Sequence, residues 1–104
     1  MEDDRLTIIE LTEKMHDFVR SKGWYEVDSH RPQTPRNLSI SLALEAAEIL
    51  EHFQWNEEFD RDDLAEELAD VALYLLQLAS IAKIDLEEAI LKKLEINAGR
   101  EWKV

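Results

Sequence analysis

Apolar residues recur at intervals of three and four in four separate segments of the chain, which is the spacing of one face of a helix. The first segment predicts a helix over residues 4–21, with Gly23 as its stop. Its apolar face consists of Ile8, Leu11, Met15, Phe18 and Val19. Three further helices are predicted over residues 38–55, 63–82 and 86–98.

Side chains that typically cap helices stand at the starts of the last three segments. The predicted caps are Asn37, then Asp60 or Asp62, then Asp85. Gly99 is the expected end of the fourth helix. The chain has only 2 glycines and 2 prolines in 104 residues, and it shows no alternating strand pattern. The sequence therefore predicts an all-α fold.

The third predicted helix is apolar on more than one side. From Val71 to Leu76 it has no charged residue, and only Tyr74 is polar. Such a helix is buried on several faces, whereas a chain of 104 residues builds only a modest core of its own. We therefore predict a single domain over residues 1–104, folded as a four-helix bundle that association of subunits completes.

The charge balance narrows the possible partners. Lys and Arg number 12 against 24 Asp and Glu, a formal net charge of −12. This balance argues against binding to nucleic acid, which rests on cationic side chains, and against anionic membrane surfaces. No apolar run approaches the roughly 20 residues that span a bilayer. The acidic N-terminus lacks an apolar signal core, so we expect a cytoplasmic protein.

Two carboxylate pairs interrupt apolar stretches. Glu45 and Glu48 are three residues apart, as are Glu67 and Asp70, so each pair shares one helix face. An ionised carboxylate in apolar surroundings is costly unless it is paired or binds a metal. The chain has no cysteine and only three scattered histidines. Oxygen ligands alone favour Mg²⁺, with Mn²⁺ or Ca²⁺ as alternatives, over zinc.

Other candidate residues lie outside these pairs. Residues 23–36 are a predicted loop that either packs down through an aromatic side chain or closes over a ligand. The loop carries Trp24, Tyr25, His30, Arg31 and Arg36. A stripe of polar side chains on the fourth helix suits a phosphate chain, although cations near a helix C-terminus also interact with the helix dipole. The stripe consists of Lys93, Asn97 and Arg100.

Two other interpretations compete with a magnesium site. A di-iron bundle needs Glu-x-x-His on two helices, and only Glu13-x-x-His16 fits that spacing. A non-catalytic helical dimerisation module would leave the acidic pairs solvated, because exposed acidic pairs are common in a chain this acidic.

An ordered set of motifs across residues 8–100 resembles the MazG-like nucleoside triphosphate pyrophosphohydrolases, and most of all their short dCTP pyrophosphatase branch. The set comprises Thr34-Pro35-Arg36-Asn37-Leu38, Glu45-x-x-Glu48, Phe53-Gln54-Trp55, Glu66-Glu67-Leu68-Ala69-Asp70 with Tyr74, and Lys93-x-x-x-Asn97-x-x-Arg100. The chain departs from the family pattern at two places. Ala47 stands where the family often has glycine, and Glu101 and Trp102 replace its usual Tyr-Pro after Arg100.

The resemblance implies an all-α enzyme, a homo-oligomeric dimer or tetramer, that cleaves a nucleoside triphosphate between its α- and β-phosphates in a Mg²⁺-dependent reaction. It implies the metal ligands Glu45, Glu48, Glu67 and Asp70. It also implies substrate contacts at His16, Trp24, Trp55, Tyr74, Lys93, Asn97 and Arg100. Glu45 or Glu48 is our candidate general base. A phosphoribosyl-ATP pyrophosphohydrolase of the same fold is a further alternative.

Overall fold

The computed structural model describes residues 5–102, and all regular structure in that range is helical. The four helices are α1 (Ile8–Ser21), α2 (Pro35–Glu51), α3 (Arg61–Ile81) and α4 (Leu86–Ala98). The predicted all-α fold is therefore confirmed for the described residues.

α1 begins later than the pattern predicted. Thr7 is its N-cap: the Thr7 hydroxyl accepts a hydrogen bond from the backbone N–H of Glu10, and the Glu10 carboxylate accepts from the N–H of Thr7. This reciprocal capping box satisfies two backbone donors at once. The helix therefore starts at Ile8. The predicted start at residue 4 lies outside the described residues.

α2 is displaced by one turn from its predicted bounds. The Thr34 hydroxyl, not the Asn37 side chain, caps it, and Pro35 occupies the first helical position, where its missing N–H costs nothing. Asn37 instead donates to the carbonyl oxygen of Pro32 at 2.9 Å, which ties the preceding loop to the helix. The helix ends at Glu51, so the predicted end at residue 55 is wrong.

The last two helices have the predicted caps. Asp60 accepts from two backbone N–H groups at the start of α3, and Asp85 accepts from the N–H of Glu88 at the start of α4. Gly99 lies at the C-cap of α4, also as predicted.

The helices leave much apolar surface open. α2 and α1 both pack on α3, whereas α4 makes only a thin contact with α3. The buried hydrophobic residues of the described chain are Met15, Val19, Leu38 and Ala79. The radius of gyration is 16.5 Å, whereas a compact chain of this length has about 13 Å. The described helices include none that is long and apolar enough to cross a membrane.

Candidate active site

The packing of α2 on α3 brings the predicted carboxylates together. One carboxylate oxygen from each of Glu45, Glu67 and Asp70 lies within 4.8 Å of the others, a spacing that could hold a metal ion. Glu48, one turn after Glu45 on α2, lies close enough to both glutamates to change their pKa values. We call these four side chains the carboxylate cluster.

Two oxygens of the carboxylate cluster are buried without a partner. Oε2 of Glu45 and Oε2 of Glu67 are inaccessible to solvent and accept no hydrogen bond within residues 5–102. The imidazole of His52 lies nearby, with Nε2 4.0 Å from Oε1 of Glu67, which is beyond hydrogen-bonding distance. A buried acceptor left unpaired is costly. These two oxygens are therefore suited to a ligand that supplies positive charge.

The surroundings of the cluster raise the pKa values of two of its carboxyl groups. Burial raises the pKa of Glu45 first, and the neighbouring charges of Glu48, Asp70 and Glu67 raise it further. A side-chain hydrogen bond with Glu48 raises the pKa of Glu67, followed by burial and the charges of Glu48 and Asp70, and only His52 opposes that rise. Both shifts have the sign expected of like charges held together without a counter-ion.

The donor set fits a hard divalent cation. Its members offer carboxylate oxygens, the ligands that Mg²⁺ and Mn²⁺ take in proteins, and there is no thiolate to draw a softer metal. Asp70 is exposed, so one side of the cluster is open to a substrate or water. Mg²⁺ commonly leaves such positions to substrate phosphates.

A cavity of about 620 Å³ adjoins the cluster at Asp70. One part of its wall is apolar and aromatic, formed by Leu11, Met15, Phe18, Val19, Trp24 and Leu73. Another part is polar, formed by Gln33, Asn37, Ser41, Asp70, Tyr74 and Gln77. Small-molecule sites have this character, since apolar surface supplies affinity and a few polar groups fix orientation.

The loop between α1 and α2 forms one side of this cavity. Trp24, His30 and Arg31 of the loop line it, and the Arg31 guanidinium lies 5.5 Å from the centroid of the Trp24 ring. The ring of Trp24 also meets Phe18 edge to face at 5.8 Å. The loop is thus packed down through Trp24 and at the same time borders the space that a ligand would occupy. Both interpretations of the loop therefore fit its position.

His16 does not border the larger cavity. It lines a second cavity, between α1 and the end of α3, and both of its ring nitrogens are in hydrogen bonds, Nδ1 with the Tyr25 hydroxyl and Nε2 with Ser80 Oγ at 2.7 Å. Burial, then the Arg20 charge, lowers its pKa. α1 presents Met15, one residue earlier, to the larger cavity, because consecutive helical residues point about 100° apart.

Of the other predicted substrate contacts, some line the larger cavity and some do not. Trp24 and Tyr74 line the larger cavity. Trp55 is 88% exposed in the turn after α2. The α4 stripe of Lys93, Asn97 and Arg100 does not border that cavity in the described chain, because α4 barely contacts the other helices. Arg100 lies over the Trp102 ring instead, at 4.3 Å, and Asn97 has a buried Oδ1 that no described group satisfies.

Several polar residues of the cavity were not singled out in the sequence. They include Gln33 of the loop, Ser41 of α2 and Gln77 of α3. Gln77 follows Tyr74 by three residues, so it continues the stripe that Glu67 and Asp70 begin. This helical spacing is the sequence signal that could have identified Gln77 as a cavity residue.

Comparison with known proteins shows the family of the chain. A family model described as the MazG-like family matches residues 40–104. Two relatives named dCTP pyrophosphatase 1, from Homo sapiens and Mus musculus, are 34% and 32% identical over 94 residues, covering 81% of this chain and 52% of each relative. The chain thus spans about half the length of the curated relatives it matches.

A solved structure is similar over almost its whole length. The crystal structure of a pyrophosphatase from Archaeoglobus fulgidus DSM 4304 has 34% sequence identity and a TM-score of 0.72, and the match covers 93% of this chain and 94% of that one. The likeness in fold therefore extends over nearly the whole chain, including α2 and α3, which carry the carboxylate cluster here.

Proposed function

The chain belongs to the MazG-like family, and we propose that it is a Mg²⁺-dependent nucleoside triphosphate pyrophosphohydrolase. It converts a (deoxy)nucleoside triphosphate to the monophosphate and pyrophosphate by cleavage between the α- and β-phosphates. We further propose dCTP or a modified deoxynucleotide of the cytoplasmic pool as the substrate. The names of the curated relatives support this choice, since both refer to dCTP.

The observation that carries the proposal is the pair of buried, unpartnered oxygens on Glu45 and Glu67, beside a cavity with an aromatic wall. In a non-catalytic dimerisation module the acidic pairs would be solvated, and these two oxygens are not. An anionic cluster next to an apolar pocket matches a ligand with a metal-chelating end and a flat, stackable end. A nucleoside triphosphate has both.

The four carboxylates Glu45, Glu48, Glu67 and Asp70 are the proposed metal ligands. When bound, Mg²⁺ would orient the phosphates, acidify the attacking water and neutralise charge on the pyrophosphate leaving group. Without the cation, a protein with net charge −12 would repel the triphosphate.

The proposed reaction is an in-line attack of water on a phosphorus of the triphosphate. The new bond joins the water oxygen to phosphorus, the bond from phosphorus to the bridging oxygen breaks, and pyrophosphate leaves with the electron pair. A carboxylate takes the water proton. The candidate bases are Glu45 and Glu48, which lie one turn apart on α2 within the carboxylate cluster.

The base and sugar would occupy the larger cavity. Trp24 provides an aromatic face, and Tyr74, one turn beyond Asp70 on α3, also lines the cavity. Met15 is the neighbouring α1 residue that borders this cavity, and a substrate contact of His16 stays a prediction.

We propose that the active form is a homo-oligomer, a dimer or a tetramer. Leu91 and Leu94 of α4 are 61% and 60% exposed, and Leu44 of α2 is 63% exposed. Exposed apolar side chains that form a patch are typical of interfaces. Association would also offer a location for the residues that the single chain leaves outside the cavity, namely Trp55, Lys93, Asn97 and Arg100.

The test is a pyrophosphate-release assay across canonical and modified NTPs and dNTPs, with phosphoribosyl-ATP included. We expect activity in Mg²⁺, none in excess EDTA, and at least a 100-fold loss in Glu48→Gln and Asp70→Asn. Glu13→Gln is the matched control, since it removes one charge from an exposed position on α1. Equal activity in EDTA, or full activity in both cluster variants, would refute the proposal.

A further inference from the structure

A chain of hydrogen-bonded side chains reaches from the larger cavity through the protein to α1. It consists of Gln33, Gln77, Tyr25, His16 and Ser80, and it joins the loop, α3 and α1. Gln77 is only 3% exposed and is the one buried polar residue of the described chain. It also lines the cavity. A buried amide costs free energy unless its groups are satisfied, so its orientation is determined by its partners.

The direction of the hydrogen bonds can be assigned from one fixed acceptor. Gln33 Nε2 donates to the carbonyl oxygen of Arg31 at 2.6 Å, and a carbonyl can only accept. The other end of that amide, Oε1, therefore faces Gln77 and accepts from its Nε2 at 2.8 Å. Gln77 Nε2 has a second N–H, which it donates to the Tyr25 hydroxyl at 3.3 Å.

The same direction continues to α1. The Tyr25 hydroxyl accepts from Gln77 and donates its own proton to His16 Nδ1. A neutral imidazole with an acceptor at Nδ1 carries its proton on Nε2, which then donates to Ser80 Oγ. The lowered pKa of His16 agrees with a neutral ring. Every bond is thus satisfied only if both N–H groups of Gln77 point into the network.

This arrangement leaves Gln77 with a carbonyl oxygen as the polar atom available to a ligand. On α3 the residues Glu67, Asp70, Tyr74 and Gln77 follow at offsets of three, four and three. Gln77 therefore lies about 10 Å beyond Asp70 along the helix axis, at 1.5 Å per residue. With the phosphates at the carboxylate cluster, the base of a nucleotide points toward Gln77.

We propose that Gln77 selects the base: its Oε1 accepts a hydrogen bond from an exocyclic amino group on the Watson–Crick edge, so that cytosine or adenine is favoured over uracil or thymine. Tyr25 and His16 are positioning residues, because they hold the Gln77 amide in the accepting orientation without touching the substrate. Uracil places a carbonyl where cytosine has its amino group, and two facing acceptors repel. This inference rests on the proposed function, since it assumes a nucleotide in the cavity.

The experiment compares dCTP with dUTP, which differ at the atoms that Gln77 would contact and have the same size. We expect kcat/KM of the wild type to favour dCTP by at least about 10-fold, since a site built for one hydrogen bond discriminates strongly against its absence. In Gln77→Leu the ratio should fall to within about threefold of unity while Mg²⁺-dependent cleavage of dUTP persists. A wild type without preference, or a variant that keeps the full preference, would overturn the assignment.

Tyr25→Phe tests the positioning role. It also provides a second test of base selection if Gln77→Leu does not fold. It removes one hydroxyl from the network and leaves the cavity wall intact. We expect the ratio of kcat/KM for dCTP to that for dUTP to fall through a rise in the value for dUTP, because an amide no longer held by Tyr25 can turn an N–H toward the carbonyl of uracil. If the variant lowers kcat/KM for dCTP and for dUTP by the same factor, Tyr25 has a purely structural role and the positioning role is refuted.

Binding separates this inference from the proposed function. The non-hydrolysable α,β-methylene analogues of dCTP and dUTP are compared by thermal shift with Mg²⁺ present. Preferential stabilisation by the dCTP analogue, lost in Gln77→Leu, supports base selection even if no triphosphate is hydrolysed. Hydrolysis of both substrates with equal analogue binding supports the proposed function and rejects base selection.

Discussion

Replacing Glu45 by Gln should make the metal-free protein more stable than the wild type. In Mg²⁺ the same variant should be less stable than the wild type. The substitution keeps the size of the side chain and removes one of the charges that repel each other in the carboxylate cluster. Its sign follows from the pKa of Glu45, which burial and then the neighbouring carboxylates raise. A raised pKa in the folded state means that stability is lost as the pH rises through it.

The magnitude follows from the spacing of the cluster. Oxygens of Glu45, Glu67 and Asp70 lie within 4.8 Å of one another, and two unit charges at that distance repel by about 0.9 kcal/mol in bulk water. The bulk-water value is a lower bound, because Asp70 is exposed but oxygens of Glu45 and Glu67 are buried. We therefore expect Glu45→Gln to stabilise the metal-free protein by at least about 1 kcal/mol, which raises Tm by at least about 4 °C for a domain of this size.

Magnesium should reverse the order of the two proteins. A ligand at 100 times its dissociation constant stabilises the folded state by about 2.7 kcal/mol, or about 10–20 °C in Tm on the same scale. Glu45→Gln, which lacks one charged metal ligand, should gain little of this stabilisation from Mg²⁺.

Thermal melts in EDTA and in a Mg²⁺ series measure both effects, with Glu13→Gln as the control for a charge change elsewhere. Below the ordinary carboxyl pKa of 4.5 the wild type and Glu45→Gln should melt together, since both side chains are then neutral. A variant that is less stable than the wild type in EDTA at neutral pH would refute the reasoning about repulsion.

Three other predictions address the histidine, the interface and the aromatic wall. The pKa of His16 is lowered, which means that the folded state resists protonation of this side chain. Its contribution to stability should therefore be complete above the ordinary pKa of 6.5 and be lost as the pH falls through the folded-state pKa. Urea melts from pH 7.5 to 5 should show this pH dependence in the wild type and not in His16→Gln. Leu91→Glu should convert the oligomer to smaller species by light scattering, and an unchanged mass would contradict an interface on this face of α4. Trp24→Ala should raise KM for the nucleotide by about 10-fold or more, since stacking on one base is worth about 1–3 kcal/mol, and an unchanged KM would remove the ring from the binding site.

The helices could be predicted because their signals are local. Asp60 and Asp85 cap the predicted segments, and Gly99 ends the last one, where the pattern placed them. The start of α2 was misplaced because two residues, Thr34 and Asn37, are both able to cap. Pro35 decides between them, since its fixed φ and missing N–H favour the first helical position after Thr34.

The carboxylate site could be predicted in part. Residues three apart on a helix share a face whatever the tertiary structure, so each carboxylate pair was expected to point one way. The meeting of Glu45 with Glu67 and Asp70 depends on how α2 packs on α3, and the spacing alone did not determine it. The resemblance to the MazG-like family supplied that link, and the comparisons confirm the family.

The remainder of the site depends on contacts that periodicity does not encode. A shift of one residue turns a helical side chain by about 100°, which is why Met15 and not His16 borders the larger cavity. The network through Gln77 joins residues up to 64 positions apart in the chain, and only the folded structure brings them together. The roles of Trp55 and of the α4 stripe stay predictions.

Product analysis by ³¹P NMR tests the central claim most directly. Purified protein is incubated with dCTP in Mg²⁺, with an identical sample in excess EDTA and a third containing Glu67→Gln. We expect equimolar dCMP and pyrophosphate from the wild type in Mg²⁺, and unchanged dCTP in the EDTA and Glu67→Gln samples. Release of inorganic phosphate with dCDP, or pyrophosphate formation in the EDTA sample, would contradict Mg²⁺-dependent cleavage between the α- and β-phosphates.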